Sequence, residues 1–495
     1  MITPGTSERG RRQRKRLRTT LAAVLAVVIA GGIVAVLQPG APCPGCVSDG
    51  SQVFEPGSRA MRLAEDAIQQ ENAGVTSGGK PYVSVALLIP LTSGATSDAW
   101  AARMADQLRG AYLALRSMNG QDGLGVRLLL ANEGTSAELA AGQAVGQLMT
   151  LEGGPDHLVA VVGMGLSNGN TMAAAKTLET DRMPMFGAVM SADELNGDRV
   201  HGLDQMVPDD FAQVKALAQA RARVPALARA LPGNLHGLLV YDQQPDDLYP
   251  GNLKTDFRHV FRANLAGEAE PFTPDPPYAD VEFGKIASDV CYEDGPPPVV
   301  FFAGRANALA SFIKMLKGTW QCQDKKITIV TGGDGDGLKQ GATSLSPGSG
   351  QVSVIYPDVF DLSKVTVPFA QSYRRQLASI DPRADGLGDT WTLGTYNAMQ
   401  AAWTAIKLGY RARKPTCRGR QPYSRCPTSS TENPRRPGPP GRSRSGLTAS
   451  CYPRTSPSTR TPAESASPCK AEEPTASLEL GSQPTLSCRT RARYH

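Results

Sequence analysis

Between Tyr82 and Ile406 short apolar runs alternate with longer amphipathic stretches, and no other feature limits so sharply what this chain can fold into. Tyr82–Leu91, Leu124–Asn132, Leu158–Val162 and Met185–Val189 are brief, aliphatic and bounded by turn residues, as strands buried on both faces must be. Between them lie helical patterns at Trp100–Met118, Ser136–Thr150 and Asn170–Thr180. Met206–Pro208 and the Asp209-Asp210 pair mark a second beginning, with a capped helix Asp210–Ala222, a strand Leu235–Tyr241 and a helix running to Asn264. A Pro-rich insertion precedes a helix Asp280–Val290, a strand Val299–Ala303, a helix Ala306–Lys317, a strand Ile327–Thr331 and the turn GGDGDG. A strand Gln351–Tyr356 and the helices Val367–Ser379 and Thr390–Ile406 close the pattern. Such alternation predicts an α/β fold of mostly parallel sheets with helices on both faces. Two successive sets predict two lobes, 81–206 and 207–349, with 350–410 returning to complete them and a ligand cleft between.

The ends of the chain differ from this core. Of 495 residues, 41% are hydrophobic, enough for substantial cores. The net charge of +6 comes mainly from basic clusters at the two ends, Arg9 to Arg18 and the arginines after Arg411. The middle is near neutral, which argues against a nucleic-acid-binding core. Thr20–Leu37 is uncharged, apolar and of membrane-spanning length. With the basic residues 1–19 held in the cytoplasm, it reads as a retained signal anchor that leaves the binding domain extracellular at the cell membrane. Residues 38–80 read as an extracellular stalk with a helical patch at Arg59–Asn72. From 411 to 495 the chain is rich in Arg, Pro, Ser, Thr and Cys without apolar periodicity, so it is expected to be disordered. Its abrupt onset and scattered cysteines and arginines also suit a frameshifted G+C-rich reading frame.

Nine cysteines in an exported chain invite disulfides. Cys291 and Cys322 each precede a buried strand and form the expected pair. Cys43 and Cys46 lie in a Pro/Gly linker and read as a juxtamembrane disulfide or as two idle thiols.

Residues 158–195 hold the chemistry. A strand ends in the glycine-rich turn GMGLSNG, a helix opens at Thr171, and the next strand ends in Met190-Ser191-Ala192. Ser167 or Asn168 stands where a helix cap belongs. Both strands thus deliver small polar groups and backbone N–H groups to one carboxyl edge, where open α/β sheets bind ligands. A helix N-terminus there favours an anion.

In the order of its elements, residues 82–406 resemble the type I periplasmic solute-binding proteins, in particular the leucine/isoleucine/valine-binding family of ABC transporters. The resemblance is carried by IPLTSG (89–94), VVGMGLSNGNTMAAAKTLETDRMPMFG (161–187), LLVYDQQPDDLYPGNL (238–253), FFAGRANALASFIKML (301–316), VTGGDGDG (330–337) and TYNAMQAAWTAI (395–406). It implies that Ser167 and Ser191 hold a ligand carboxylate, that Tyr249 lies against the ligand side chain, and that Asp334 or Asp336 pairs with its ammonium. Thr92 and Ser93, in the first strand–helix turn, and Asn168, beside Ser167, are further ligand-binding candidates. The implied protein is a non-enzymatic receptor that captures an amino-acid-like solute by lobe closure, beside an ABC permease or a sensor partner. In the family the chain goes on from TYNAMQAAWTAI into closing strands, where this one has its basic tail.

Competing patterns are weaker. Gly165-Leu166-Ser167-Asn168-Gly169 matches the nucleophile elbow of serine hydrolases. A base is missing, since none of His157, His201, His236, His259 and His495 stands in a late loop after a terminal strand. The glycines of 163–169 are misspaced for a dinucleotide turn. GGDGDG lacks the further ligands of a calcium loop. No cofactor and no metal are expected. A sensory or interaction ectodomain without a transport role is the alternative to uptake.

Overall fold

The computed structural model describes residues 43–92, 98–121, 123–135, 140–275, 277–292, 298–339, 352–360, 367–382 and 390–413. The basic tail 1–19, the anchor 20–37 and everything beyond Arg413 in the C-terminal tail lie outside the described residues, as does Ser93. No helix among the described residues is long and apolar enough to cross a membrane.

Lobe one carries β1 (Val47–Ser48), β2 (Tyr82–Ile89), β3 (Gly125–Asn132), β4 (Leu158–Gly163), β5 (Met185–Gly187) and β6 (Leu203–Gln205), in the sheet order β1-β3-β2-β4-β5-β6. All pairs are parallel except β1 with β3. Lobe two carries β7 (Leu238–Asp242), β8 (Glu270–Phe272), β9 (Val299–Ala303), β10 (Ile327–Val330) and β11 (Val352–Ile355), in the all-parallel order β11-β10-β9-β7-β8. Setting β1 aside and counting strands within each lobe, both sheets have the order 2-1-3-4-5. That is one of the two common doubly wound orders, and its chain reverses direction across the sheet between strands one and three.

Strand alternation builds two cores per sheet. Val85, Leu87 and Ile89 face one side with α1 (Arg59–Ser77) and α2 (Asp98–Asn119), while Ala86 and Leu88 face α3 (Ala141–Leu151) and α4 (Gly169–Thr180) on the other. In lobe two α5 (Asp210–Arg223), α6 (Pro225–Ala230) and α7 (Leu248–Val260) belong to the face that receives Phe301 and Ala303. Val300 and Phe302 point the other way, to α8 (Tyr278–Tyr292) and α9 (Ala306–Gly318). Phe302 stacks between Phe272 and Phe312, with centroids 5.3 and 5.5 Å away.

After β11 the chain returns to lobe one. In α10 (Val367–Ile380), Tyr373 and Leu377 join the lobe-one core, and α11 (Thr390–Arg413) lies along α2. The approach is close because Gly110 has no Cβ: one there would stand 2.2 Å from the Thr392 carbonyl oxygen. Just past α10, Asp381 receives Arg109 of α2 at 2.7 Å in a buried pair.

Several expectations are corrected. Residues 43–80 do not form a stalk as far as they are described. Phe54, Met61, Ala64 and Ile68 are buried in the lobe-one core. The cause is the open edge of β3, whose backbone groups need partners. β1 pairs with that edge, and the Asn72 carboxamide both accepts from Leu128 N and donates to Leu128 O, at 2.8 and 2.7 Å. The final helix runs on past Ile406 to Arg413. Helix α3 begins at Ala141, residues 136–139 being outside the described set. β6, β8 and α6, each of six residues or fewer, carried no readable period. Pro271 fits β8 because β8 is an edge strand.

Cys291, at the end of α8, is joined to Cys322 in the turn before β10, and Cys43 is joined to Cys46.

Candidate functional site

The carboxyl ends of both sheets meet in a cleft. Lobe one contributes the turns after β4 and β5, together with the start of α11; lobe two contributes those after β7, β9 and β10. In each lobe these include the point where the strand order reverses, the place such folds reserve for ligands. Ser167, Ser191, Tyr249, Arg305, Asp334 and Trp391 are among the lining residues. The free volume between them is about 40 Å³. At roughly 10–15 Å³ for one water-sized probe, only a few waters fit, so any solute larger than that enters by parting the lobes.

The glycine-rich turn is shaped by its backbone. Gly163, Met164 and Gly165 have φ of 87°, 57° and 51°. A Cβ on Gly165 would stand 1.9 Å from the Glu133 carboxylate, so only glycine fits. Glu133 is fully buried, and burial pushes its carboxyl up to about 8 against the pull of Leu166 N–H and the Thr171 hydroxyl. Burial thus favours the protonated, neutral form of this carboxyl.

The cap of α4 is Asn168, which accepts from Thr171 N at 2.9 Å. Ser167 does something else. Its hydroxyl oxygen accepts from Ser191 N and Ala192 N at 2.9 and 3.0 Å, tying the turn after β4 to the turn after β5. Two N–H groups that the sequence offered to an anionic ligand are thus already engaged. Among the described residues the Ser167 oxygen has no other partner, so the GLSNG turn forms but holds its serine in backbone hydrogen bonds rather than against a histidine.

Thr92 is buried beside Asn132, whose Nδ2 donates to its hydroxyl at 3.1 Å, and is not part of the cleft lining. Tyr249 is buried in the cleft, and its hydroxyl accepts from Asp334 N at 3.1 Å. Asp334 accepts from Ala306 N, the first residue of α9, at 2.8 Å, and Arg103 of lobe one lies 3.5 Å from its other oxygen. Asp336 accepts from the Thr390 hydroxyl at 3.0 Å. Asp210, at the start of α5, is fully buried beneath Ser191, and burial raises its carboxyl well above the ordinary range.

Arg305 was not singled out in the sequence. It stands two residues past the end of β9, beside the point where lobe two's strand order reverses, a position that only the strand order picks out. Its Nε and Nη2 grip Asp247 at 2.8 and 2.6 Å, and Nη2 also donates to the Ser167 carbonyl across the cleft at 3.3 Å. The guanidinium lies 4.6 Å from the centre of the Tyr249 ring. Arg103 was missed as well; it lies 5.3 Å from the Trp391 ring centre.

The lobes are laced together around this site. Leu248 N donates to Ser167 O at 3.1 Å and Gly169 N to Asp246 O at 2.9 Å, an antiparallel bridge between the starts of α4 and α7. Asn252 of α7 accepts from Asp193 N at 2.9 Å and donates to Glu194 at 3.1 Å.

Two doubly wound lobes of the same strand order thus face one another, with a cleft at both switch points. Among solved structures the chain is similar to a possible leucine/isoleucine/valine-binding protein from Rhodopirellula baltica SH 1, with TM-score 0.48 and 16% identity over 66% of this chain and 81% of that one. It is also similar to a solute binding protein of an ABC transporter from Rhodopseudomonas palustris BisB5 in complex with 3,4-dihydroxy benzoic acid, with TM-score 0.49 and 14% identity over 66% and 81%. An ABC transporter substrate-binding protein from Desulfitobacterium hafniense in complex with Leu gives TM-score 0.45 and 16% identity over 66% and 84%. No protein-family model and no curated protein matches the sequence.

Proposed function

We propose that this chain is an extracytoplasmic receptor that captures a small polar solute by closing its lobes. The observation that supports it is the cleft itself, lined by polar side chains from both lobes at both switch points and too small to admit a solute without opening. The solute enters between parted lobes, and closure rebuilds the bridge between Ser167–Gly169 and Asp246–Leu248 around it. The anchor at 20–37, with 1–19 in the cytoplasm, keeps the receptor at the outer face of the cell membrane. A closed, loaded form then serves an ABC permease in uptake or a partner protein in sensing. The resemblance implies an amino-acid-like solute.

The test is a thermal-shift screen of the full chain against amino acids, small peptides, nucleosides, sugars and organic acids. A saturable rise with one chemical class, following mass action, is the expected result. No shift with any class would overturn the capture reading.

A further inference from the structure

We propose that Arg305 is the group that recognises the ligand, and that the ligand is a small carboxylate with an apolar body whose binding does not need an ammonium group. This rests on the capture reading above and names the class of solute.

The inference comes from accounting for donors and acceptors around the cleft. On lobe one, Ser191 N and Ala192 N are engaged by Ser167, Thr171 N by Asn168, and Gly169 N by Asp246. The lobe-one donors expected to hold an anion are therefore largely committed within the protein. On lobe two, Gly333 N is held by Gln213 and Asp334 N by Tyr249. Within lobe two, Asp247 receives Arg305 through both oxygens and Asp334 receives Ala306 N, so both are committed against an ammonium even when the lobes part; Asp336 receives Thr390 across the cleft.

Arg305 is different. A guanidinium has five N–H donors in a planar fork. Nε and Nη2 are used by Asp247 and the Ser167 carbonyl, while Nη1 has no hydrogen-bond partner among the described residues. The side chain lines the cleft, and Tyr249 beneath it and Asp247 beside it fix its plane. A rigid, charged, partly unpaired fork is the natural receptor for a planar oxyanion. The rest of the lining includes Leu166, Val189, Val207, Val359 and Trp391, which suits an apolar or aromatic body.

The experiment measures melting shifts and calorimetric affinities for the full chain. Its probes are benzoate and short aliphatic carboxylates, their amides, the matching amines, free amino acids and sugars. The carboxylates are expected to bind and their amides to be at least tenfold weaker. Arg305→Lys, which keeps the charge near Asp247 but loses the fork, is expected to weaken carboxylates by about tenfold or more. If that variant does not fold, the uncharged pair Arg305→Gln with Asp247→Asn takes its place, with the same expectation. Binding by sugars or amines alone, amides equal to acids, or Arg305 variants equal to the parent chain would overturn this inference and leave capture standing. Silence across every probe would overturn capture, and this inference with it.

Discussion

At the scale of single residues, the cleft is held by side chains that serve the backbone first. Ser167 bonds two N–H groups of the next turn, so Ser167→Ala leaves Ser191 N and Ala192 N buried without it. We expect a loss of about 1–3 kcal/mol in urea unfolding, and equal stability would mean those N–H groups find other partners. Glu133 gives a pH signature. Its carboxyl is raised from 4.5 to about 8 in the folded chain, so the folded state holds a proton that the unfolded state releases between those values. The stability contributed is fully present below about 4.5 and is lost as pH rises through about 8. Glu133→Gln is expected to flatten that fall; an unchanged pH profile would show that Glu133 ionises freely. At this scale the sequence was ambiguous where two neighbours could do one job. Ser167 and Asn168 both suit a cap, and only the direction of β5's turn decides that Asn168 caps while Ser167 reaches across. Arg305 was illegible for another reason. Its importance lies in which strand it follows, and strand order is a long-range property.

At the scale of elements, the long strands and helices were readable because burial on two faces writes continuous apolar runs. Short pieces were not. β1 has two residues and β8 three, and both exist because a neighbouring strand offers an open edge. The same edge turned the expected stalk into part of lobe one. Asn72→Ala removes both bonds to Leu128, and a loss of about 1–3 kcal/mol in denaturant unfolding is expected. The Cys291–Cys322 bridge closes a loop of 31 residues, which chain entropy converts to about 3–4 kcal/mol. Cys291→Ser with Cys322→Ser should lower the melting temperature accordingly, and a melt equal to the parent's would place the stability of α8 in its Phe283 and Ile286 packing alone.

At the scale of the whole molecule, two lobes and a cleft followed from counting strand–helix units, but closure did not. The lacing depends on partners far apart in the chain, such as Asn252 with Asp193 and Glu194, which no local pattern joins. Asn252→Ala should loosen the lobes, read as a larger radius of gyration in small-angle scattering; an unchanged radius would leave closure to the bridge at Ser167–Gly169. The return of α10 and α11 to lobe one has a further outcome. Lobe two, within residues 207–360, is one unbroken length of chain, while lobe one needs both its early strands and its last described helix. As the chain emerges N-terminus first, lobe two can finish its sheet while α2 still waits for α11. Lobe one must hold its half-covered apolar face open until Thr390–Arg413 arrives, which makes it the slower folder and the one most exposed to a chaperone.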